Sequence, residues 1–197
     1  MKLSALLYYT DLGRFSPAPF SRPFSWTQHQ VTSLFTSLYR GWPIGEIVLW
    51  TRPQGLANTR MNPAPEMIVD GAQRITAIYA AIRGRKPFFT LPSEVVSCPL
   101  RFHVMREEFA VYHPSMIDDR CWIELTDLFE RESPALGEIL ASFYESPPTG
   151  ISQGEVTRRL SRLAGIADLH LAVQYMPSEA SEGECHDFYQ LIHRRGI

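Results

Sequence analysis

The sequence predicts an α+β fold, a small mixed β-sheet flanked by helices and followed by a helix-rich second half. Three observations carry that prediction. Short apolar runs, EIVLWT at 46–51 and EMIV at 66–69, are rich in β-branched and aromatic residues and bounded by turn formers. Apolar residues at helical spacing precede, separate and follow them. RFHVM and FAVYH, either side of Arg106-Glu107-Glu108, alternate as the arms of a hairpin.

The N-terminal MKLSALLYYTDLGRF has a short apolar run cut by tyrosines and Asp11, with no small-residue cleavage pattern, so it does not read as a signal peptide. FSPAPFSRPFSW, 15–26, is too rich in proline for a helix and is expected to lie extended across a core surface. Thr27 and Gln30 form a capping box, Val31, Leu34, Phe35, Leu38 and Tyr39 mark one helix face, and Gly41 closes it. A strand at 46–51 leads to a proline-containing loop at 52–65. After the strand at 66–69 a helix is expected over 72–83. Ile75, Ile78, Tyr79 and Ile82 lie on its apolar face, Gly84 stops it, and Arg83, Arg85 and Lys86 suit its C-terminal dipole.

Beyond the hairpin, Ser133-Pro134 starts a helix, and Ser152 with Glu155 forms a second capping box. LHLAVQYM, 169–176, reads as a late strand and 182–195 as a final helix. The SPPTGISQ stretch at 146–153 is the expected boundary between a core of residues 1–145 and a helical continuation, 146–197.

A formal charge of −2, with 45% hydrophobic and 20% charged residues, is ordinary for a globular chain and supplies no global attraction for nucleic acid. Three scattered cysteines suit reduced thiols, and the six histidines show no metal-ligand spacing. With no apolar run long enough to span a bilayer, a cytoplasmic location away from the membrane is expected.

The stretch 66–81, EMIVDGAQRITAIYAA, admits two readings. In one, Asp70 accepts the free amides of the first helical turn, Gln73 reaches back, Gly71 makes the turn, and Arg74 is a solvated surface residue. In the other, the amides and dipole of the helix start, together with Arg74, form a phosphate site. Gln73 then orients water or a phosphate oxygen, and Asp70 holds hydrated magnesium. Likewise, Arg22 and Trp26 form either a packed rim or a wall with a stacking face for a base.

The order of these segments resembles the GmrSD-type restriction-endonuclease N-terminal domain, a ParB/sulfiredoxin-like family also carried by SspE-type and BrxU-type anti-phage proteins. The carrying residues are Ala18-Pro19-Phe20-Ser21-Arg22-Pro23-Phe24-Ser25-Trp26, then Pro43-Ile44-Gly45, then Asp70-Gly71-Ala72-Gln73-Arg74, and a late helix at 188–196. The resemblance implies nucleoside-triphosphate binding and hydrolysis coupled to restriction of modified or phage DNA. It implies Asp70, Gln73 and Arg74 as catalytic positions. Arg22, Gly71, Ala72, Arg74 and Arg195 would contact the nucleotide, Phe24 and Trp26 would serve as base-stacking or wall residues, and Asp70 as a magnesium contact. Partners would be the nucleoside triphosphate with magnesium, the DNA, and a nuclease in another chain or domain, since longer relatives continue past Gly196.

Three positions depart from the family pattern. Ala72 and Ser21 each stand where the family has Gln, and His193 where it has Asn. Each departure removes an amide, so binding can survive where hydrolysis does not. A second function class is a non-catalytic DNA-binding or protein-interaction module. Its positive patch would be Arg83, Arg85, Lys86 and Arg101, with Arg158, Arg159 and Arg162 on a later helix. Cleavage of DNA by this domain itself would need a carboxylate partner for Asp70, and only Glu46 and Glu66 lie near in sequence.

Overall fold

In the computed structural model, residues 1–52, 64–91, 93–94, 96–129 and 135–193 are described. Strands β2 (Ile47–Thr51) and β3 (Glu66–Asp70) pair antiparallel at the centre of a four-stranded sheet. Two short parallel edge strands complete it, β1 (Phe15–Pro17) beside β3 and β7 (Val173–Tyr175) beside β2. The architecture is therefore α+β with a mixed sheet, as the sequence predicts. Along the two central strands alternate side chains enter different cores, the consequence of the twofold strand period. Ile47, Leu49 and Ile68 join the main core, whereas Val48, Trp50, Met67 and Val69 join a smaller cluster with Ala18, Ala180 and Cys185.

Helices α1 (Leu3–Asp11), α2 (Gln28–Arg40) and α3 (Ala72–Arg83) cover the first face. The Thr27–Gln30 capping box is reciprocal, and Gly41 and Gly84 close α2 and α3 in the left-handed conformation. On α3 every residue from Ile75 to Ile82 is buried, so the expected apolar stripe is a helix wrapped on all sides. The α1 helix was not anticipated, although its buried Leu3, Leu6, Leu7 and Thr10 have helical spacing.

A second sheet, β5-β4-β6, confirms the hairpin in β4 (Leu100–His103) and β5 (Glu108–Val111) and adds β6 (Trp122–Glu124). Helices α4 (Leu125–Phe129), α5 (Ala135–Glu145) and α6 (Gln153–Ala164) follow. Phe143, Val156, Leu160 and Leu163 enter the same main core as α1 to α3. The final helix α7 (Glu182–His193) covers the second face of the mixed sheet, where Cys185 is buried and Phe188 and Tyr189 pack.

Two expectations change here. Ser152 accepts the Glu155 amide, but the Glu155 carboxylate pairs with Arg158 and Arg159, so the second capping box is only half made. The late strand shrinks to Val173–Tyr175, because Leu169 and Leu171 exchange backbone hydrogen bonds with residues at the start of the chain. Most of the 52–65 loop and Ser133-Pro134 lie outside the described residues.

Asp11 joins the end of α1 to α3. Its carboxylate accepts the Tyr79 hydroxyl at 2.8 Å and Arg83 at 2.9 Å. Burial, then the hydrogen bond to Asp11, pushes the Tyr79 hydroxyl up to about 12. Arg85 reaches the same carboxylate at 3.1 Å, so replacing Asp11 by Ala strands all three donors, and the expected loss is about 1–3 kcal/mol, read from the urea midpoint.

Glu155 is held down to about 2, chiefly by its hydrogen bond from Arg158 and then by that from Arg159. A carboxyl lowered on folding stabilises above its unfolded value and loses that contribution as pH falls through the folded one. The urea midpoint of the wild type should therefore fall more steeply than that of Glu155→Gln as pH drops from 4.5 toward about 2.

Candidate functional site

The site is built where β3 turns into α3. Gly71 adopts φ +98° there, and a Cβ would stand 3.1 Å from Ile47 Cγ1, so a side chain is excluded on both conformational and steric grounds. No side chain caps α3, and its first helical bond runs from the Ile75 amide to Gly71. The preceding amides of the first turn point past the end of the helix.

Asp70 does not cap. Its Oδ2 accepts Arg74 Nη2 at 2.9 Å, an ion pair one turn apart. Arg74 also donates to the Ile44 carbonyl at 2.9 Å and the Glu46 carbonyl at 2.6 Å. With side-chain exposure of 16%, it is a buttress rather than the solvated residue of the capping reading. The guanidinium lies over Gly45, where a Cβ would come within 2.1 Å of Nη1.

Gln73 does not reach back to Asp70 either. Its Nε2 donates to the Arg22 and Pro23 carbonyls at 3.1 and 2.9 Å, and its Oε1 accepts the Ser25 amide at 2.9 Å. Both amide hydrogens are thus spent on the extended segment 21–25, which as a proline-containing strap has few ladder partners of its own. Glu94 holds the same strap by accepting the Phe24 amide at 3.1 Å.

Between these groups lies a cavity of about 370 Å³. Asp70, Gly71, Ala72, Gln73 and Arg74 form its floor, Ser21, Arg22 and Trp26 one wall, and Tyr189 and His193 the other. Phe24 lies behind the strap in a separate cavity, and Arg195 falls outside the described residues. Arg22 is exposed, and among the described residues its guanidinium makes no hydrogen bond or ion pair. Sequence reasoning did not foresee Tyr189 as a wall. His193 was noted only as a departure, yet its Nε2 stands 3.4 Å from Asp70 Oδ1 and its ring 4.2 Å from that of Tyr189.

Glu66 sits at the far end of β3 and pairs with Arg14, so it is no partner for Asp70. Among the described residues, the one group of three potential metal ligands is His103, Asp119 and Cys121, in the small sheet. His103 Nδ1 accepts the Arg106 amide, which places the ring proton on Nε2, aimed at Asp119 3.1 Å away. The Cys121 amide donates to the other Asp119 oxygen, and burial pushes the Cys121 thiol up. Every potential ligand is thus committed to folding a turn. Within the positive patch Arg83 and Arg85 pair with Asp11, Arg101 with Glu124, and Arg158 and Arg159 with Glu155, while Lys86 donates to backbone carbonyls and Arg162 lies over the Tyr39 ring.

The family model of the GmrSD restriction endonuclease N-terminal domain matches residues 10–195. The chain belongs to that family. None of the curated proteins matches the sequence. Within this GmrSD N-terminal domain, Ser21, Ala72 and His193, the three departures from the family pattern, all line the one cavity. No helix among the described residues is long and apolar enough to cross a membrane.

The Arg74 buttress requires Gly45 to lack a side chain. Gly45→Ala and Arg74→Ala should each lower stability by about 1–3 kcal/mol. The double variant should lose little more than either alone, which a double-mutant cycle on urea midpoints would read.

Proposed function

We propose that this chain is the nucleoside-triphosphate-binding sensor domain of a restriction system directed at modified or phage DNA. The observation that carries the reading is the convergence on one cavity of the uncapped start of α3 and of Arg22, unpaired among the described residues. Amide donors, the helix dipole and a free guanidinium together favour a polyphosphate. Arg22, rather than Arg74, is the phosphate-binding cation in this reading. Arg74 shapes the floor, and Trp26 and Tyr189 offer aromatic walls.

Magnesium enters with the nucleotide. Asp70 is ion-paired to Arg74, so in this reading it holds the metal ion through water. Gln73 holds the strap with both amide hydrogens, so orienting a nucleophilic water requires it to release Arg22 and Pro23. The bound state with the strap in place is therefore a sensing state, and hydrolysis accompanies strap release. Cleavage of DNA belongs to a nuclease partner, in another domain or chain.

Titration with ATP, GTP, CTP and UTP in magnesium, with phosphate release measured in parallel, tests the reading. Arg22→Ala should weaken nucleotide binding by about 1.5–3 kcal/mol, the range for a charge-assisted bond, without shifting the thermal midpoint. Unchanged affinity in that variant, or no binding of any nucleotide to the wild type, would reject it.

A further inference from the structure

Behind the strap lies a second cavity of about 210 Å³, which shares Arg22 and Gln73 with the first. Phe24, Phe89 and Glu94 also line it. The Glu94 carboxylate is fixed from two sides, with Oε2 accepting the Phe24 amide at 3.1 Å and Oε1 the Leu91 amide at 3.2 Å. Lys86 holds the backbone beneath it by donating to the Leu91 and Glu94 carbonyls at 3.0 and 3.1 Å. A carboxylate oxygen accepts more than one hydrogen bond, so each keeps capacity for a ligand donor.

We propose that this second cavity is the base subsite of the nucleotide site and that Glu94 selects guanine. The inference rests on the nucleotide reading above. The two cavities adjoin across Arg22 and Gln73, so a nucleotide with its phosphates at the start of α3 directs its base past the strap edge toward Phe24 and Phe89. A cavity lined by two aromatic residues and a carboxylate fixed in place suits a nucleobase. A carboxylate can only accept. Guanine presents two adjacent donors, N1–H and the N2 amino group, on a single edge. Adenine and cytosine place a lone pair on the corresponding ring nitrogen, and uracil flanks its single N–H with two carbonyl oxygens. The three other bases therefore set a repulsive acceptor against Glu94, which is how a site rejects near-isosteric ligands.

Binding of GTP, ATP, CTP and UTP to the full chain in magnesium, beside inorganic tripolyphosphate, provides the test. GTP should bind about tenfold or more tighter than the other three, the discrimination expected of a bidentate base contact. Glu94→Gln should bring GTP to within about twofold of ATP, on the same expectation that the discrimination resides in that contact. Should that variant fail to fold, competition of guanosine against adenosine for labelled GTP on the wild type decides instead, and guanosine should win. Equal affinity for the four nucleotides, a GTP preference that survives in folded Glu94→Gln, or equal competition by the two nucleosides overturns the guanine assignment. Retained tripolyphosphate binding in those cases leaves the phosphate end standing. Absence of tripolyphosphate and of all nucleotide binding removes both readings.

Discussion

The Arg74 guanidinium is the interaction on which the geometry of the site depends. Two carbonyls, from Ile44 and Glu46, and the Asp70 carboxylate meet its planar fork. These acceptors come from the segment leading into β2 and from the end of β3, so a single side chain sets the position of the β3–α3 turn against the neighbouring strand. A lysine ammonium has no fixed fork with which to hold three acceptors in this geometry. The arrangement also explains the glycine that precedes β2, since any Cβ at Gly45 would occupy the space of the guanidinium.

One residue earlier on the same helical turn, Gln73 faces away from Arg74 and holds the strap. Adjacent residues on a helix point about 100° apart, so the pair reaches two segments that cannot reach each other. The first turn of α3 thereby fixes both the strap and the segment leading into β2, which adds Ile44 to the cavity lining. The local charges follow the same division. Arg74 and Asp70 offset one another, while Arg22, carried on the strap, lines the cavity with no ion-pair partner among the described residues.

The wall opposite the strap comes from the two-faced character of the sheet. Because β2 and β3 send alternate side chains to opposite sides, both faces need cover, and the second receives α7. That packing brings Tyr189 and His193 to the C-terminal end of β3 and sets His193 beside Asp70. Ser21, Ala72 and His193 come from the strap, α3 and α7, yet all contact one volume. Residues from three distant parts of the chain thus set the hydrogen-bonding capacity of a single site.

Where signals were local, the sequence was a sound guide. The α2 cap at Thr27, the glycine stops after α2 and α3, the two central strands and the hairpin depend on near neighbours, and all are present. It misled where another partner competed for the same group. Asp70 and Gln73 have the spacing of a capping pair, but an arginine and a strap bind them more strongly than the helix amides do. Glu155 likewise leaves its cap for two arginines, and residues 169–171 bond to the start of the chain instead of extending β7. By itself the sequence determined the element types, the family and the residues of the β3–α3 floor, because propensity, caps and motif order reside in contiguous residues. Only the tertiary structure decided which arginine is free, that Gln73 is a clasp, and that α7 closes the site, because those outcomes depend on which of several possible partners the packed chain brings within hydrogen-bond distance.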